Sequence, residues 1–304
     1  MAILAAATAV VLGGGGLIAV GLQGDEGGLG AGLLPSSLTG GEQAPSAAPS
    51  PTGPSPEELA AIERAKRVKA LDTALKKVAA DAPDFSVAVL DRTTGERYAY
   101  RGAEKYETAS IVKVQILACV LLQAQDEERK PTSGELSLAR PMIRVSDNDA
   151  TTSLFSAVGG RSGLSGCNKR LGLTQTTVSS SWGLTRTTVN DQVKLLGALV
   201  DEKGPLDTSS RKTAFTLMST VDSEQDWGVT AAGKAAETTT VKNGWLPLST
   251  DGNLWIINTV GRVTSTDGAT DVSIAVLTHE NTTMESGIKL TEKVAKLTRT
   301  HLKY

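Results

Sequence analysis

Histidine, cysteine and aromatic side chains are all scarce in this 304-residue chain, and each shortage removes a class of chemistry. Two histidines, His279 and His301, both near the C-terminus, leave little material for a histidine-rich metal centre or a Ser-His-Asp triad. Two cysteines, Cys119 and Cys167, exclude zinc ribbons and disulfide-dense mini-domains. They leave open a single bridge or a pair of ordinary buried thiols. No metal or cofactor is expected. Basic residues are missing from residues 1–55, whose only charges are Asp25, Glu26 and Glu42, so residues 56–304 hold 31 basic and 30 acidic side chains. A body so balanced offers no basic stripe for nucleic acid. With 40% hydrophobic and 21% charged positions, the chain is too apolar to be wholly disordered and too charged for a polytopic membrane protein.

Residues 2–22 form an uncharged run of Ala, Val, Leu, Ile and Gly, about long enough at ~1.5 Å per residue to cross a ~30 Å hydrocarbon core. The run reads as a membrane anchor or a cleaved signal. Gly13-Gly14-Gly15-Gly16 weakens a spanning helix, and the lack of a basic n-region weakens a conventional signal. No cysteine follows closely, so lipid attachment of the bacterial lipoprotein kind finds no site. Residues 23–54, rich in Gly, Ser, Ala and Pro, are expected to be a tether. The folded domain is expected over residues 55–304, because Ser55-Pro56-Glu57-Glu58 supplies an N-cap, a first-turn proline and a capping-box glutamate. Leu59, Ile62, Val68, Leu71, Leu75 and Val78 follow at helical spacings.

Residues 85–90 and 97–100 are β-type runs joined by a hairpin turn, and residues 110–125 form a long apolar helix. The stretch from about 131 to 220 reads as helices and loops, with an amphipathic piece at residues 189–200. Three β-type runs (238–241, 254–263 and 271–278) and a helix from about 284 to 302 close the chain. Strands split by an all-helical insertion predict an α+β fold, with an antiparallel five-stranded sheet flanked by helices and an all-helical subdomain beside it.

Ser110 and Lys113 stand one helical turn apart, so the amine can take the serine proton once burial lowers its pKa. The same spacing recurs at Ser209/Lys212 and Ser286/Lys289, but only Ser110 opens an almost wholly apolar helix. Ser146-Asp147-Asn148 offers a hydroxyl and an amide on one turn, and reads equally as a helix cap. Lys242-Asn243-Gly244-Trp245 ends a β-type run with a lysine beside a glycine, suited to a carboxylate-bearing substrate; Asn-Gly is also a strong turn dipeptide.

The ordered set Ser-x-x-Lys, Ser-x-Asn, Lys-x-Gly resembles the serine β-lactamase and penicillin-binding-protein superfamily, whose motifs are S-x-x-K, S-D-N and K-T-G. Residues 87–110 also look like the approach to the nucleophile in class A β-lactamases. The resemblance implies Ser110 as acylated nucleophile, Lys113 as its base and Ser146 as proton relay to the leaving nitrogen. Asn148 would hold the substrate's amide, Lys242 and Asn243 its carboxylate, and Gly244 the close backbone approach. The N–H groups of Ser110 and Trp245 would form the oxyanion hole. Implied substrates are β-lactams or peptidoglycan D-alanyl peptides, handled by an extracytoplasmic monomer that touches the membrane only through its N-terminal segment.

Two departures stand out. The segment that should carry the class A glutamate, residues 178–188, contains no carboxylate, and the nearest is Asp191. The K-T-G threonine is Asn243, and no arginine follows closely, Arg262 being a distant candidate clamp. Slow deacylation is therefore expected. The alternatives are a true β-lactamase with another deacylating group, or a catalytically quiet ligand-binding domain.

Overall fold

The computed structural model describes residues 53–304. The anchor-or-signal run and all but the last two residues of the tether lie outside the described residues. Helix α1 (Pro56–Ala79) opens on the expected capping box: Ser55 Oγ accepts from Glu58 N at 3.2 Å, and Glu58 Oε2 accepts from Ser55 N at 2.7 Å. Strands β1 (Phe85–Asp91) and β2 (Arg97–Tyr100) follow as a hairpin, then a two-residue strand β3 (Tyr106–Glu107). A 3-10 turn (Ala109–Ile111) leads into α2 (Val112–Asp126). Helices α3 (Ser133–Arg144), α4 (Asn148–Ala157) and α5 (Gly160–Arg170) make the helical block. A second 3-10 turn (Trp182–Leu184) and strand β4 (Arg186–Thr187) precede α6 (Val189–Ala198) and α7 (Thr208–Met218). The long strands β5 (Glu237–Leu248), β6 (Leu254–Ser265) and β7 (Asp271–Asn281) and helix α8 (Met284–Leu302) complete the chain.

The sheet order is β2-β1-β7-β6-β5, antiparallel throughout, which is the expected five-stranded α+β architecture. Side-chain alternation divides its two faces. Val87 and Val89 of β1 and Val272, Ile274 and Val276 of β7 pack on the α1/α8 side with Leu71, Leu75, Leu290 and Val294. Ala88, Leu90, Ala275 and Leu277 face the helical side, where α2 contributes Ile116, Leu117, Val120 and Leu121. Full burial of each such side chain contributes about 1.5–3 kcal/mol, and α2, enclosed by this second core, becomes the rigid post on which the first motif is mounted.

Two local expectations change. The run 238–241 extends through the Lys-Asn-Gly motif to Leu248, so Asn243-Gly244 is strand interior and not a turn. The middle of the chain is not free of strand: β4 pairs with β3, tying the 178–188 segment to the backbone just before Ser110. The two cysteines are bridged, with Cα atoms 5.5 Å apart, linking α2 to α5 across a sequence separation of 48.

Candidate active site

Ser110 sits in the 3-10 turn and Lys113 in the first turn of α2, a geometry prepared by two contacts with the sheet. Asn258 of β6 donates its amide to the carbonyls of Glu107 and Thr108 at 2.8 and 3.1 Å, fixing the chain as it enters the turn. Gly244 of β5 then passes so close that a Cβ would stand 2.7 Å from Ser110 N, 2.8 Å from Ile111 N and 2.9 Å from Thr108 O. Only glycine admits this approach. Ala109 holds a left-handed φ of 45° and Ser146 one of 59°, conformations that cost L-residues about 1–3 kcal/mol and recur where a backbone is set for chemistry.

The side chains of the three motifs converge. Lys113 Nζ lies 2.9 Å from Ser110 Oγ, 3.0 Å from Ser146 Oγ, 2.7 Å from Ser146 O and 2.9 Å from Asn148 Oδ1. Lys242 Nζ reaches Ser146 Oγ at 3.1 Å and the Asn243 carbonyl at 2.8 Å. Both lysines are fully buried. Burial pushes Lys113 down to about 8, partly opposed by the negative charge of Asp147. Lys242 is lowered well below the usual lysine range, first by burial and then by the charge of Lys113.

Donor arithmetic fixes what a neutral Lys113 does. Ser146 O and Asn148 Oδ1 can only accept, so they take the two N–H groups of the amine, and its lone pair is left for the Ser110 hydroxyl proton. Ser146 Oγ stands between the two lysines, placed to give up one proton and be resupplied. Asp147 caps α4, its carboxylate accepting from Ala150 N at 2.7 Å, so the cap and the functional turn are the same residues.

The cleft in front of Ser110 measures about 640 Å³ and includes Asn148, Trp182 and Trp245 in its walls. Its far wall is the β5 half from Trp245 to Leu248, on the sheet's edge strand. Thr152 and Phe155, four and seven residues after Asn148 on the same α4 face, also line it and were detectable by helical spacing.

Several candidates fall elsewhere. Asn243 departs from its expected carboxylate contact: it is buried, and its amide donates to the carbonyls of Gln225 and Trp227 at 2.7 and 3.1 Å. An Asn is long enough to reach that loop, and reaching it uses both amide hydrogens. Arg262 is ion-paired with Asp271 at 2.6 Å and is absent from the cleft wall. Asp191 is fully buried and accepts from Gln175 N and Thr176 Oγ1, both at 2.8 Å, so it braces a loop. Trp227 packs behind Trp245, ring centroids 6.2 Å apart, and Trp255 is not in the wall. The two competing Ser-x-x-Lys pairs are exposed, Ser286 serving the capping box of α8.

A five-stranded antiparallel sheet between helical layers, with two half-buried serines bridged by two buried lysines at the head of its central helix, defines the serine β-lactamase and penicillin-binding-protein class. The model of the Beta-lactamase enzyme family matches residues 67–134 and 135–302, and the chain belongs to that family. The chain is similar in fold to an ancestral class A β-lactamase, with 20% identity and a TM-score of 0.65 over 76% of this chain and 99% of that one. The chromosome-encoded β-lactamase of Vibrio parahaemolyticus superposes with a TM-score of 0.66 at 16% identity, over 77% and 99% of the two chains. In sequence, the chain is 32% identical over 182 residues to a protein of Mycobacterium tuberculosis and Mycobacterium bovis named "Putative lipoprotein LppW". The match spans 57% of this chain and 57% of that protein's length.

Proposed function

We propose that this protein is an extracytoplasmic serine acyl-enzyme that opens β-lactam rings or D-alanyl peptide bonds at Ser110 and releases the acyl group slowly. The observation that carries the reading is the fully buried Lys113 ammonium position, 2.9 Å from one serine hydroxyl and 3.0 Å from another. Neutral Lys113 takes the Ser110 proton as Oγ adds to the carbonyl carbon, and the oxyanion falls to the N–H groups of Ser110 and Trp245. The carbon–nitrogen bond then breaks. Its nitrogen takes the Ser146 hydroxyl proton, and Ser146 is reprotonated by the Lys113 ammonium, leaving acyl-Ser110 and a free amine.

Slow release is supported by the 178–188 segment, which brings no carboxylate to the cleft, and by Asp191, whose acceptor oxygen is occupied in its loop. Positioned acid–base catalysis is typically worth about 100- to 10,000-fold, so its lack at this step would leave a long-lived ester. The name of the mycobacterial relatives supports a location on the outer face of the membrane. Cys119 is bridged to Cys167 in the core, and the apolar run at residues 2–22 is the segment of this sequence suited to anchoring. A chromogenic cephalosporin tests the reading: one burst equivalent followed by very slow turnover supports it. Fast steady hydrolysis would refute the slow-release part of the proposal.

A further inference from the structure

We propose that Trp182 is a positioning residue that reserves Lys113 for proton exchange between Ser110 and Ser146 and bars it from activating water against acyl-Ser110. The inference rests on the acyl-enzyme reading and goes beyond it, because it names what withholds a base already present in the site.

The surroundings of Lys113 Nζ leave no vacant direction for a fifth partner. Four oxygens stand within 3.0 Å of it, Ser110 Oγ, Ser146 O, Ser146 Oγ and Asn148 Oδ1, one more than the three hydrogen-bonding directions of an amine nitrogen. The indole ring of Trp182 covers it further, with its centroid 5.0 Å from Nζ. The charged groups that face this nitrogen are Lys242 from β5 and Asp147 at the head of α4, and the Asp147 carboxylate is occupied as the α4 cap. The second amine at Ser146 Oγ, that of Lys242 at 3.1 Å, is a lysine too.

Trp182 is itself held. Its Nε1–H donates to Thr152 Oγ1 at 3.2 Å, across the cleft on α4. The next residue's carbonyl accepts from Thr108 Oγ1 at 3.4 Å, and Thr185 O accepts from Thr108 N at 2.7 Å, docking the segment on the chain that enters the nucleophile turn. The indole also packs on the main core. Lys113 has no exposed surface, and Trp182 is one of the cleft-lining residues that stand between its amine and the cleft.

Removing the ring opens a balanced route. Neutral Lys113 would take a proton from water as the water oxygen adds to the ester carbonyl carbon. The bond to Ser110 Oγ would break, and Oγ would recover the proton from the lysine ammonium, yielding free enzyme and a carboxylic acid.

The test compares the full chain with Trp182→Phe, Trp182→Ala and Thr152→Val, each acylated with one penicillin. Adduct loss is followed by intact mass between pH 6 and 10. Trp182→Ala is expected to lose the acyl group about 10- to 100-fold faster than the unmodified protein, with the rate rising as pH passes about 8, where Lys113 becomes neutral. Trp182→Phe keeps an aromatic face over Lys113 but gives up the hydrogen bond to Thr152, so its release rate falls between those of the unmodified protein and Trp182→Ala. Thr152→Val frees the indole N–H and gives a smaller acceleration with the same pH dependence, which carries the test if the alanine variant melts below the assay temperature. Equal release from all four proteins overturns the inference, as does an acceleration that is flat from pH 6 to 10. If the unmodified protein and every variant remain free of adduct, the acyl-enzyme reading itself fails and the inference with it.

Discussion

Gly244→Ala is the sharpest perturbation of the site that leaves every motif side chain in place. The added Cβ would stand 2.7 Å from Ser110 N and 2.8 Å from Ile111 N, both rigid main-chain atoms, whereas ordinary contact begins at 3.4 Å. The β5 backbone and the nucleophile turn must therefore part by about 0.7 Å, in a region where Asn258 ties the turn to β6 and resists the movement. Overpacking of this kind costs about 1–3 kcal/mol, a fraction of the roughly 5–15 kcal/mol that holds a domain folded, so the variant remains native. Its chemistry suffers more. Displacement of a reacting group by ~1 Å can cost about 100-fold in rate, and the N–H groups of Ser110 and Trp245, the proposed oxyanion donors, belong to the two backbones forced apart. Stopped-flow acylation is expected to slow by about 10- to 100-fold, with a modest fall in melting temperature. Acylation at the unmodified rate by a folded Gly244→Ala protein would refute the claim that this contact sets the nucleophile.

The acylation rate is expected to rise with pH to a plateau above about 8, because Lys113 must be neutral to take the Ser110 proton; a flat profile from pH 6 to 10 would contradict that role. Asp191→Ala leaves Gln175 N and Thr176 Oγ1 without their acceptor and should cost about 1–3 kcal/mol by chemical denaturation, with acyl release unchanged. Replacing Cys119 and Cys167 together by alanine removes a constraint across 48 residues of sequence and should cost about 4 kcal/mol, and an unchanged denaturation midpoint would speak against the bridge.

How far the sequence could be read depends on whether a signal is local. The alternation of Val87, Val89, Ile274 and Val276 with Ala88, Leu90, Ala275 and Leu277 made the central strands plain, because each face meets its own core. The first helix stood out by its cap and spacing, and the last by its spacing. Strand β5 was cut short because Asn243-Gly244 is a turn dipeptide, and Pro247 further on is a strand breaker in its own right. An edge strand tolerates both: Gly244 for the close approach to Ser110, and Pro247 where a ladder partner is needed on one side only. Strands β3 and β4, two residues each, are too short to show any period. Within the site, Ser110, Lys113, Ser146, Asn148 and Lys242 were legible as an ordered motif set, and the structure brings all five together. The side chain of Asn243 was misassigned because its choice between a substrate and the carbonyls of Gln225 and Trp227 is made by a loop 16 to 18 residues away. The stacking of Trp182 on Lys113, across 69 positions of sequence, has no local signature at all.

The central claim is that Ser110 is the residue that becomes acylated, and peptide mapping of the protein after exposure to a penicillin tests it most directly. The account requires a single adduct on the peptide containing Ser110, persisting through the digestion, and none on a Ser110→Ala variant. Label on Ser209 or Ser286, or an adduct that survives the Ser110→Ala substitution, would contradict it.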